Sequence, residues 1–179
     1  PNTSEGETSS GNTSDTPSSA TPVVNLDPIT FTTVGDGQAY SSSKINFPSW
    51  VSSVDSVVKC FGTGKNEIRM GATDTGLLKF VLSESLDIEK VIIYAKPYNN
   101  DDNVQLKVTL SDGQTKTISI TSEQEYVFEF NVNSTTSITI ENIGSKERVI
   151  ITSIKINGEG GQEDGGGSSS TPTGELLTY

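Results

Sequence analysis

The sequence predicts an all-β protein in which two antiparallel sheets pack face to face as a β-sandwich. Six apolar runs follow one another between residues 88 and 156, with only short polar joints between them. In the run 104–110, every second residue from Val104 to Leu110 is apolar, and the residues between them are polar. This alternation is typical of a strand that buries one side and exposes the other. Such runs in close succession indicate an antiparallel sheet system.

The segment before these runs contains shorter predicted elements. A first strand is predicted at 29–34, because a glycine-rich turn follows it. Residues 47–54 are predicted to form a short helical turn. Further strands are predicted at 57–61, 67–70 and 76–82.

One segment of the chain fits both a helix and a strand. The spacing of Leu86, Lys90 and Ile93 is nearly helical. Residues 91–94, in contrast, are β-branched and aromatic, as in a strand that is covered on both sides. We therefore predict a strand that begins at Ile88.

The joints between the runs predict the turns of the sandwich. Asp112-Gly113 between two alternating runs is a strong hairpin signal. Looser turns are predicted at 122–124, 133–134 and 144–146. The whole chain then holds about nine or ten strands, for which a jelly roll is the favoured topology. An immunoglobulin-like sandwich is the alternative, although the Cys/Trp/Cys arrangement of that fold is absent.

The composition divides the chain into three parts. Residues 1–25 are rich in Ser, Thr, Pro, Asn and Gly, and we expect a disordered tether there. Residues 26–157 hold the predicted strands and are expected to fold as an independent, monomeric β-sandwich domain. Residues 158–179 begin as a Gly/Ser-rich linker and end on an apolar segment, which suggests that a second domain follows.

The charge balance argues against nucleic-acid binding by this domain. The 179 residues include 12 basic and 23 acidic side chains, which gives a formal net charge of −11. A charge of this sign repels phosphate backbones and an anionic membrane surface. No apolar run reaches the length of roughly 18 residues that a membrane span needs, so the sequence predicts no transmembrane segment.

The residue types also exclude common catalytic devices. The chain has no His, which removes the most frequent general base and transition-metal ligand. The single cysteine, Cys60, is predicted to be a buried apolar side chain. The sequence therefore predicts a protein that is not an enzyme and needs no cofactor. Paired carboxylates fall only in predicted turns or in the linker, at Asp101-Asp102, Glu123 with Glu125, and Glu163-Asp164.

The loop at 99–103 is the strongest candidate for a metal site. Its sequence, NNDDN, offers oxygen-bearing side chains in succession, which hard cations prefer. Its spacing does not match an EF-hand loop, and Asn and Asp are also common in ordinary turns. We therefore predict no metal site, with a structural calcium ion as the alternative.

Aromatic and polar residues near the predicted loops form the candidate ligand-binding site. Trp50 is the only tryptophan and lies in an irregular segment, where an exposed ring would stack on a sugar and a buried ring would belong to the core. Tyrosines and amides at loop or strand ends would complete a polar and aromatic rim if the fold brings them together. The predicted site consists of Trp50, Tyr40, Tyr98, Asn99, Asn100 and Asp101.

Four motifs occur in an order that resembles a known family. They are Ile68-Arg69-Met70-Gly71; Gly76, Leu78 and Phe80; Lys90, Val91, Ile93, Ala95, Lys96 and Tyr98; and Arg148, Ile151, Ile154 and Ile156. With these motifs, residues 40–157 resemble a non-catalytic β-sandwich accessory module of surface and secreted proteins in Bacteroidetes and some Firmicutes. The resemblance implies a galactose-binding-like jelly roll without catalytic activity.

The same resemblance implies a location and a role. Such modules occur in lipoproteins and beside secreted nucleases or glycan-degrading enzymes, so we expect an outer-membrane lipoprotein or a secreted protein. Anchoring would require a lipidated cysteine upstream of Pro1, because this sequence contains no lipobox cysteine. The favoured role is a carbohydrate-binding or surface-protein-binding module. The alternative is a spacer that presents an adjacent nuclease or glycoside hydrolase.

Overall fold

The computed structural model describes residues 26–144 and 146–158, which are almost entirely β-structure. The predicted all-β class and the antiparallel β-sandwich of jelly-roll type are confirmed. Among the described residues, no helix is long and apolar enough to cross a membrane. The predicted tether at 1–25 lies outside the described residues, as do residues 159–179 of the linker predicted at 158–179. In chain order the elements are β1 (Thr30–Phe31), a 3-10 turn (Ser42–Lys44), β2 (Ile45–Asn46), β3 (Val51–Val58), β4 (Cys60–Gly62), β5 (Ile68–Met70), β6 (Leu77–Pro97), β7 (Gln105–Leu110), β8 (Thr115–Ser119), β9 (Gln124–Asn142) and β10 (Val149–Ile156).

The two longest strands, β6 and β9, run through both layers of the sandwich. β6 has 21 residues and β9 has 19. Their pairing is interrupted between Val81 and Leu86, and the register shifts again between Ile88 and Lys90. Before the interruption β6 also pairs with β3, and after it β6 pairs with β10. The interruption therefore divides one continuous hydrogen-bonded system into two layers.

Each layer uses a different part of these two strands. The first layer has the order β3–β6–β9–β7–β8 and contains the first part of β6 with the second part of β9. The second layer has the order β4–β5–β10–β6–β9 and contains the remaining parts. The short pair β1–β2 forms a separate sheet, and Ile29 before it bridges to Ile154 of β10. All of these strand pairs are antiparallel.

The structure corrects the turn predicted at 133–134, because these residues lie inside β9. Residues 131–134 are all exposed, and three of the four are polar, which gives the segment the composition of a turn. The chain is held there by Thr135, which is fully buried and accepts a hydrogen bond from the backbone N of Ser111 at 3.0 Å. The polar pattern therefore marks the place where β9 crosses between the layers.

Three shorter predictions are also corrected. The strand predicted at 29–34 is reduced to β1, because its partner β2 is only two residues long. The helical turn predicted at 47–54 is a short turn followed by β3, which pairs with β6 from Val51 onwards. The strand predicted at 57–61 is divided between β3 and β4 by Lys59, whose φ of 48° places it in the left-handed region and breaks the strand.

The remaining main predictions agree with the structure. Asp112-Gly113 forms the hairpin between β7 and β8, and Gly113 has the positive φ of 94° that such a turn requires. The ambiguous segment from Ile88 is strand, as predicted, although it continues β6 and does not start a new element. Residues 91–93 are all fully buried, so this part of β6 is covered on both sides.

One hydrophobic cluster fills the space between the layers. Phe80 from the first part of β6 and Phe128 from the first part of β9 are both fully buried in it. Cys60 is buried as predicted, and this burial raises the pKa of its thiol to about 12. The thiol is therefore neutral at physiological pH and acts as a small apolar side chain.

We expect Phe128→Ala to bring the protein close to unfolding. The ring is fully buried, and its backbone pairs with Val91 of β6. Truncating a buried Phe removes about 3–5 kcal/mol of stability, which is comparable to the total stability of a small domain. Gln105→Ala on the exposed side of β7 is the control and should change the free energy of unfolding by less than about 0.5 kcal/mol. Denaturant titration measures both values, and equally mild effects would contradict the register described here.

Candidate functional site

Three connections meet at one end of the sandwich: 71–76 after β5, 98–104 after β6, and 143–148 before β10. Asn142, the last residue of β9, ties two of them together from a fully buried position. Its Nδ2 donates hydrogen bonds to the carbonyl of Met70 at 3.1 Å and to that of Glu147 at 2.5 Å. Because a buried amide without such partners would be destabilising, Asn142 fixes the end of β5 against the start of β10.

Beside these connections, two arginines stack on one tyrosine. The guanidinium carbon of Arg69 lies 5.2 Å from the ring centroid of Phe61 and 4.9 Å from that of Tyr98. The guanidinium carbon of Arg148 lies 4.3 Å from the Tyr98 centroid. All three distances are within the roughly 6 Å range of cation–π attraction. We call Phe61, Arg69, Tyr98 and Arg148 the Arg–Tyr cluster, and all four residues are partly exposed.

Asp101 holds Arg148 in position. Nε of Arg148 donates to Oδ2 of Asp101 at 2.9 Å, Nη2 donates to Oδ1 at 3.1 Å, and the backbone N of Arg148 donates to Oδ2 at 2.8 Å. These hydrogen bonds lower the pKa of Asp101 below its usual 3.8 and raise the pKa of Arg148. The backbone N of Tyr98 donates to the Arg148 carbonyl at 2.9 Å, so the turn at 98–101 is attached to the start of β10.

Arg69 differs from Arg148 because no carboxylate of the described residues neutralises its charge. Among residues 26–144 and 146–158, no carboxylate lies within 4.0 Å of its guanidinium, and none of its side-chain nitrogens donates a hydrogen bond. Its Nε is shielded from solvent without an acceptor. A buried donor without a partner costs about 1–3 kcal/mol, and more when the group is charged. Among the described residues, the cation–π contacts with Phe61 and Tyr98 are therefore what stabilises the Arg69 guanidinium.

The cluster continues across the outer side of the second layer. Phe61, Arg69, Ile150 and Lys96 are successive cross-strand partners on β4, β5, β10 and β6, so their side chains share one side of the sheet. Ile150 is nearly buried although it is not part of the core between the layers. Nζ of Lys96 lies 3.6 Å from Oε1 of Glu123. This outer side therefore presents a strip of aromatic, aliphatic and cationic side chains.

Four of the six predicted ligand-binding residues lie in this region. Tyr98 and Asp101 contact the arginines as described above. Asn99 and Asn100 occupy the turn between them and are exposed. Asn99 has a φ of 52°, a left-handed conformation that asparagine tolerates. The structure brings these four residues together, and their contact with a ligand remains a proposal.

Trp50 and Tyr40 lie in the core, and both of their rings are buried. Trp50 is 6% exposed, and its Nε1 donates to the carbonyl of Asp27 at 2.8 Å. The segment after Asp27 bridges to Ile154 of β10, about 20 Å along that strand from Arg148. Tyr40 is 5% exposed, and burial raises the pKa of its hydroxyl to about 12. Neither ring is free for a sugar to stack on, so the rim predicted from the sequence does not include them.

Three residues of the cluster were absent from the predicted site, namely Phe61, Arg69 and Arg148. The two arginines entered the sequence analysis only as motif residues of the family resemblance. The two arginines could have been recognised from the sequence because it contains no others. An arginine that replaces lysine at just two positions marks places where the planar fork of the guanidinium matters.

The described residues contain no group of three or more His, Cys, Asp and Glu side chains that could hold a metal ion. In the loop at 99–103, the carboxylate of Asp101 is engaged by Arg148. Asp102 beside it is exposed. The loop at 99–103, where the alternative prediction places a calcium ion, is therefore arranged around the guanidinium of Arg148.

No family model and no curated protein matches the chain. Solved structures with a similar chain path include a fucose-binding module of Streptococcus pneumoniae, which is 11% identical, covers 51% of this chain and 71% of that chain, and has a TM-score of 0.40. A variant of a family 29 carbohydrate-binding module is 14% identical, covers 72% of this chain and 89% of that chain, and has a TM-score of 0.46. A family two carbohydrate esterase from Cellvibrio japonicus is 10% identical, covers 62% of this chain and 32% of that chain, and has a TM-score of 0.41. At TM-scores below 0.5 these likenesses do not establish a function.

We expect Gly71→Ala to destabilise this end of the sandwich strongly. Gly71 has a φ of 94°, and a Cβ there would lie 2.3 Å from Nδ2 of Asn142. Gly113→Ala is the matched control, because Gly113 has the same φ and nothing within 4 Å of an added Cβ. Both variants suffer left-handed backbone strain of about 1–2 kcal/mol, so the additional loss reports the clash with Asn142. Thermal unfolding compares the two variants, and equal losses would mean that Asn142 does not hold these loops.

We expect Asp101→Asn to reduce the sensitivity of stability to acid. The pKa of Asp101 is lower in the folded protein than its ordinary value of 3.8. The stabilisation by Arg148 is therefore fully present above that value and is lost as the pH falls through the folded pKa. Between about pH 5 and pH 2, the free energy of unfolding should fall more steeply for the wild-type protein than for the variant. Parallel pH profiles from urea titrations would contradict the ion pair.

Proposed function

We propose that the chain is a non-catalytic binding module that recognises a glycan through the Arg–Tyr cluster and the adjoining turn at 98–101. The observation that carries this proposal is the partly exposed Tyr98 stacked against two guanidinium groups. A sugar ring combines an apolar C–H side with many hydroxyl groups. An aromatic surface beside charged hydrogen-bonding groups complements both of these features.

The cluster is held rigidly before any ligand arrives. Phe61 and Arg69 lie on directly paired strands. Arg148 is fixed by three hydrogen bonds to Asp101, and Tyr98 is tied to Arg148 through its backbone. A site built on paired strands loses less conformational entropy on binding than a site built on loops alone. This rigidity favours recognition of a ligand with a defined shape, such as a pyranose ring.

The electrostatics of the site favour binding over catalysis. A carboxyl group that acts as general acid needs a raised pKa, whereas Arg148 lowers the pKa of Asp101. The sequence offers no histidine as a base. We therefore propose that the chain acts by binding and carries out no reaction.

We further propose that the module is exposed at the cell surface or secreted, as an outer-membrane lipoprotein or a released protein. It would bind a glycan or a surface protein as a monomer. The linker-like composition of residues 1–25 and 158–179 supports a module that is joined to other parts. The same composition favours the second candidate function, a spacer that presents an adjacent catalytic domain, and the binding experiment separates the two.

We expect Tyr98→Ala to weaken glycan binding roughly tenfold or more, as removal of an aromatic anchor does at other binding surfaces. A glycan array identifies a bound glycan, and calorimetry then gives the Kd of the wild type and the variant. Phe47→Ala is the control, because Phe47 is 41% exposed and lies outside the cluster. An array without any bound glycan would overturn the binding proposal and favour the spacer. Equal losses in both variants would overturn the assignment of glycan binding to the Arg–Tyr cluster.

A further inference from the structure

We infer that Arg69 binds a negatively charged group of the ligand, so that the module recognises an acidic carbohydrate bearing a carboxylate or a sulfate ester. This inference rests on the proposed function and names the ligand class of the same site. It comes from the different ways in which the two arginines of the chain are satisfied. Among the described residues, Arg148 has a carboxylate partner and Arg69 has none.

Arg148 illustrates how a carboxylate satisfies an arginine at this surface. Two of its nitrogens meet both oxygens of Asp101 in the fork geometry, at 2.9 Å and 3.1 Å. Arg69 makes no such pair with any residue that the structure describes. An anionic group that approached Arg69 would complete a bidentate pair with two nitrogens of its guanidinium.

The exposed part of Arg69 determines how a ligand would approach. Its Nε is shielded and has no partner, whereas its terminal nitrogens are neither buried nor bonded within the described residues. An anion therefore meets the guanidinium end-on, at the two terminal nitrogens. Because the shielded Nε–H also lacks an acceptor, the protein itself offsets little of the charge that faces the ligand.

The surroundings of Arg69 favour a sugar that carries the anion. The rings of Phe61 and Tyr98 lie 5.2 Å and 4.9 Å from its guanidinium carbon and are partly exposed. They offer apolar surface immediately beside the charge, and apolar surroundings strengthen a charge-assisted hydrogen bond. A pyranose with a carboxylate or sulfate on its ring presents both features within one residue. Lys96 in the same strip adds positive charge that Glu123 offsets only in part, at 3.6 Å.

The net charge of the chain implies that an acidic glycan would be bound by short-range contacts at Arg69 and not by long-range attraction. A formal charge of −11 repels polyanions in general. Binding of an acidic glycan would therefore depend on the guanidinium group of Arg69. A single neutral substitution of Arg69 should remove this binding.

The test compares three oligosaccharides of equal length by calorimetry with the full chain. They are an oligogalacturonate, the same oligosaccharide after reduction of its carboxylates to alcohols, and a sulfated galactan oligosaccharide. The wild type should bind at least one charged oligosaccharide more tightly than the reduced one, by on the order of 10- to 100-fold. Arg69→Gln should abolish this preference, and Arg69→Lys, which keeps the charge without the fork, should retain only part of it.

The control variant is Lys79→Gln, because Lys79 lies in the first layer and pairs with Asp55 at 3.3 Å, away from the cluster. It should keep the full preference for the charged oligosaccharide. Melting temperatures verify that each variant is folded, and the arm with reduced carboxylates tests the inference on the wild type without any substitution. Preference for carboxylate over sulfate, or the reverse, identifies which anion the site takes.

The outcomes separate this inference from the proposed function. If the wild type binds the reduced oligosaccharide as well as the charged ones, or if the preference survives Arg69→Gln, the inference is overturned and glycan binding stands. If none of the three oligosaccharides binds, the inference is also overturned, and the array with the Tyr98→Ala variant decides the proposed function separately.

Discussion

The pairing of β6 with β9 is the constraint on which the rest of the molecule depends. Both strands pass from one layer to the other, so a single ladder belongs to both layers of the sandwich. Every other strand of the two layers is attached to this pair directly or through one or two intermediates, with β3 and β10 beside β6 and β7 beside β9. A slip of one residue in this ladder would turn the buried sides of both layers outward together. The many fully buried side chains along β6 and β9 fix the register.

The Arg–Tyr cluster is a direct consequence of this register. Pro97 at the end of β6 pairs with Val149 at the start of β10, which sets Tyr98 against Arg148. Val149 also pairs with Met70, which brings the neighbouring Arg69 to the same tyrosine from the other strand. Residues that are far apart in the sequence thus meet at one point through three successive strands. Phe61 and Arg69 lie within paired strands, and Tyr98 and Arg148 directly adjoin the ends of two further paired strands.

The sequence pattern predicted the parts of the fold that depend on local alternation. The strands around Val108 and Phe128 and the hairpin at Gly113 are examples, because burial on one side and a positive φ leave a mark in a few neighbouring residues. The continuity of β6 and β9 left no such mark. Their crossings at 83–87 and 131–134 are mostly polar and exposed, as a loop would be. Local composition does not distinguish a crossing from a turn, since only the long-range pairing decides between them.

The same limit applied to the candidate site. Tyr98 and Asp101 were found because they lie in a conspicuous polar loop, but the acceptor of the Trp50 indole is a carbonyl 23 positions away in the sequence. Whether a lone aromatic ring is exposed or covered depends on such distant partners. Arg69 was missed for a related reason. Its single position within a short strand says nothing about the absence of a carboxylate, which only the surrounding tertiary structure defines.

The two arginines divide stability and recognition between them. Arg148 is satisfied by Asp101 and positions Tyr98, so its role in the fold explains its presence. Arg69 lacks such a partner, because its Nε is buried without an acceptor among the described residues and no described carboxylate offsets its charge. An aliphatic side chain of similar length between Phe61 and Tyr98 would avoid both penalties. Unfavourable groups of this kind are found where a protein meets its ligand. Arg148 thus holds Tyr98 in place, and Arg69 stacks on the same ring without a described carboxylate partner. This difference between the two arginines is the physical basis for assigning recognition to Arg69.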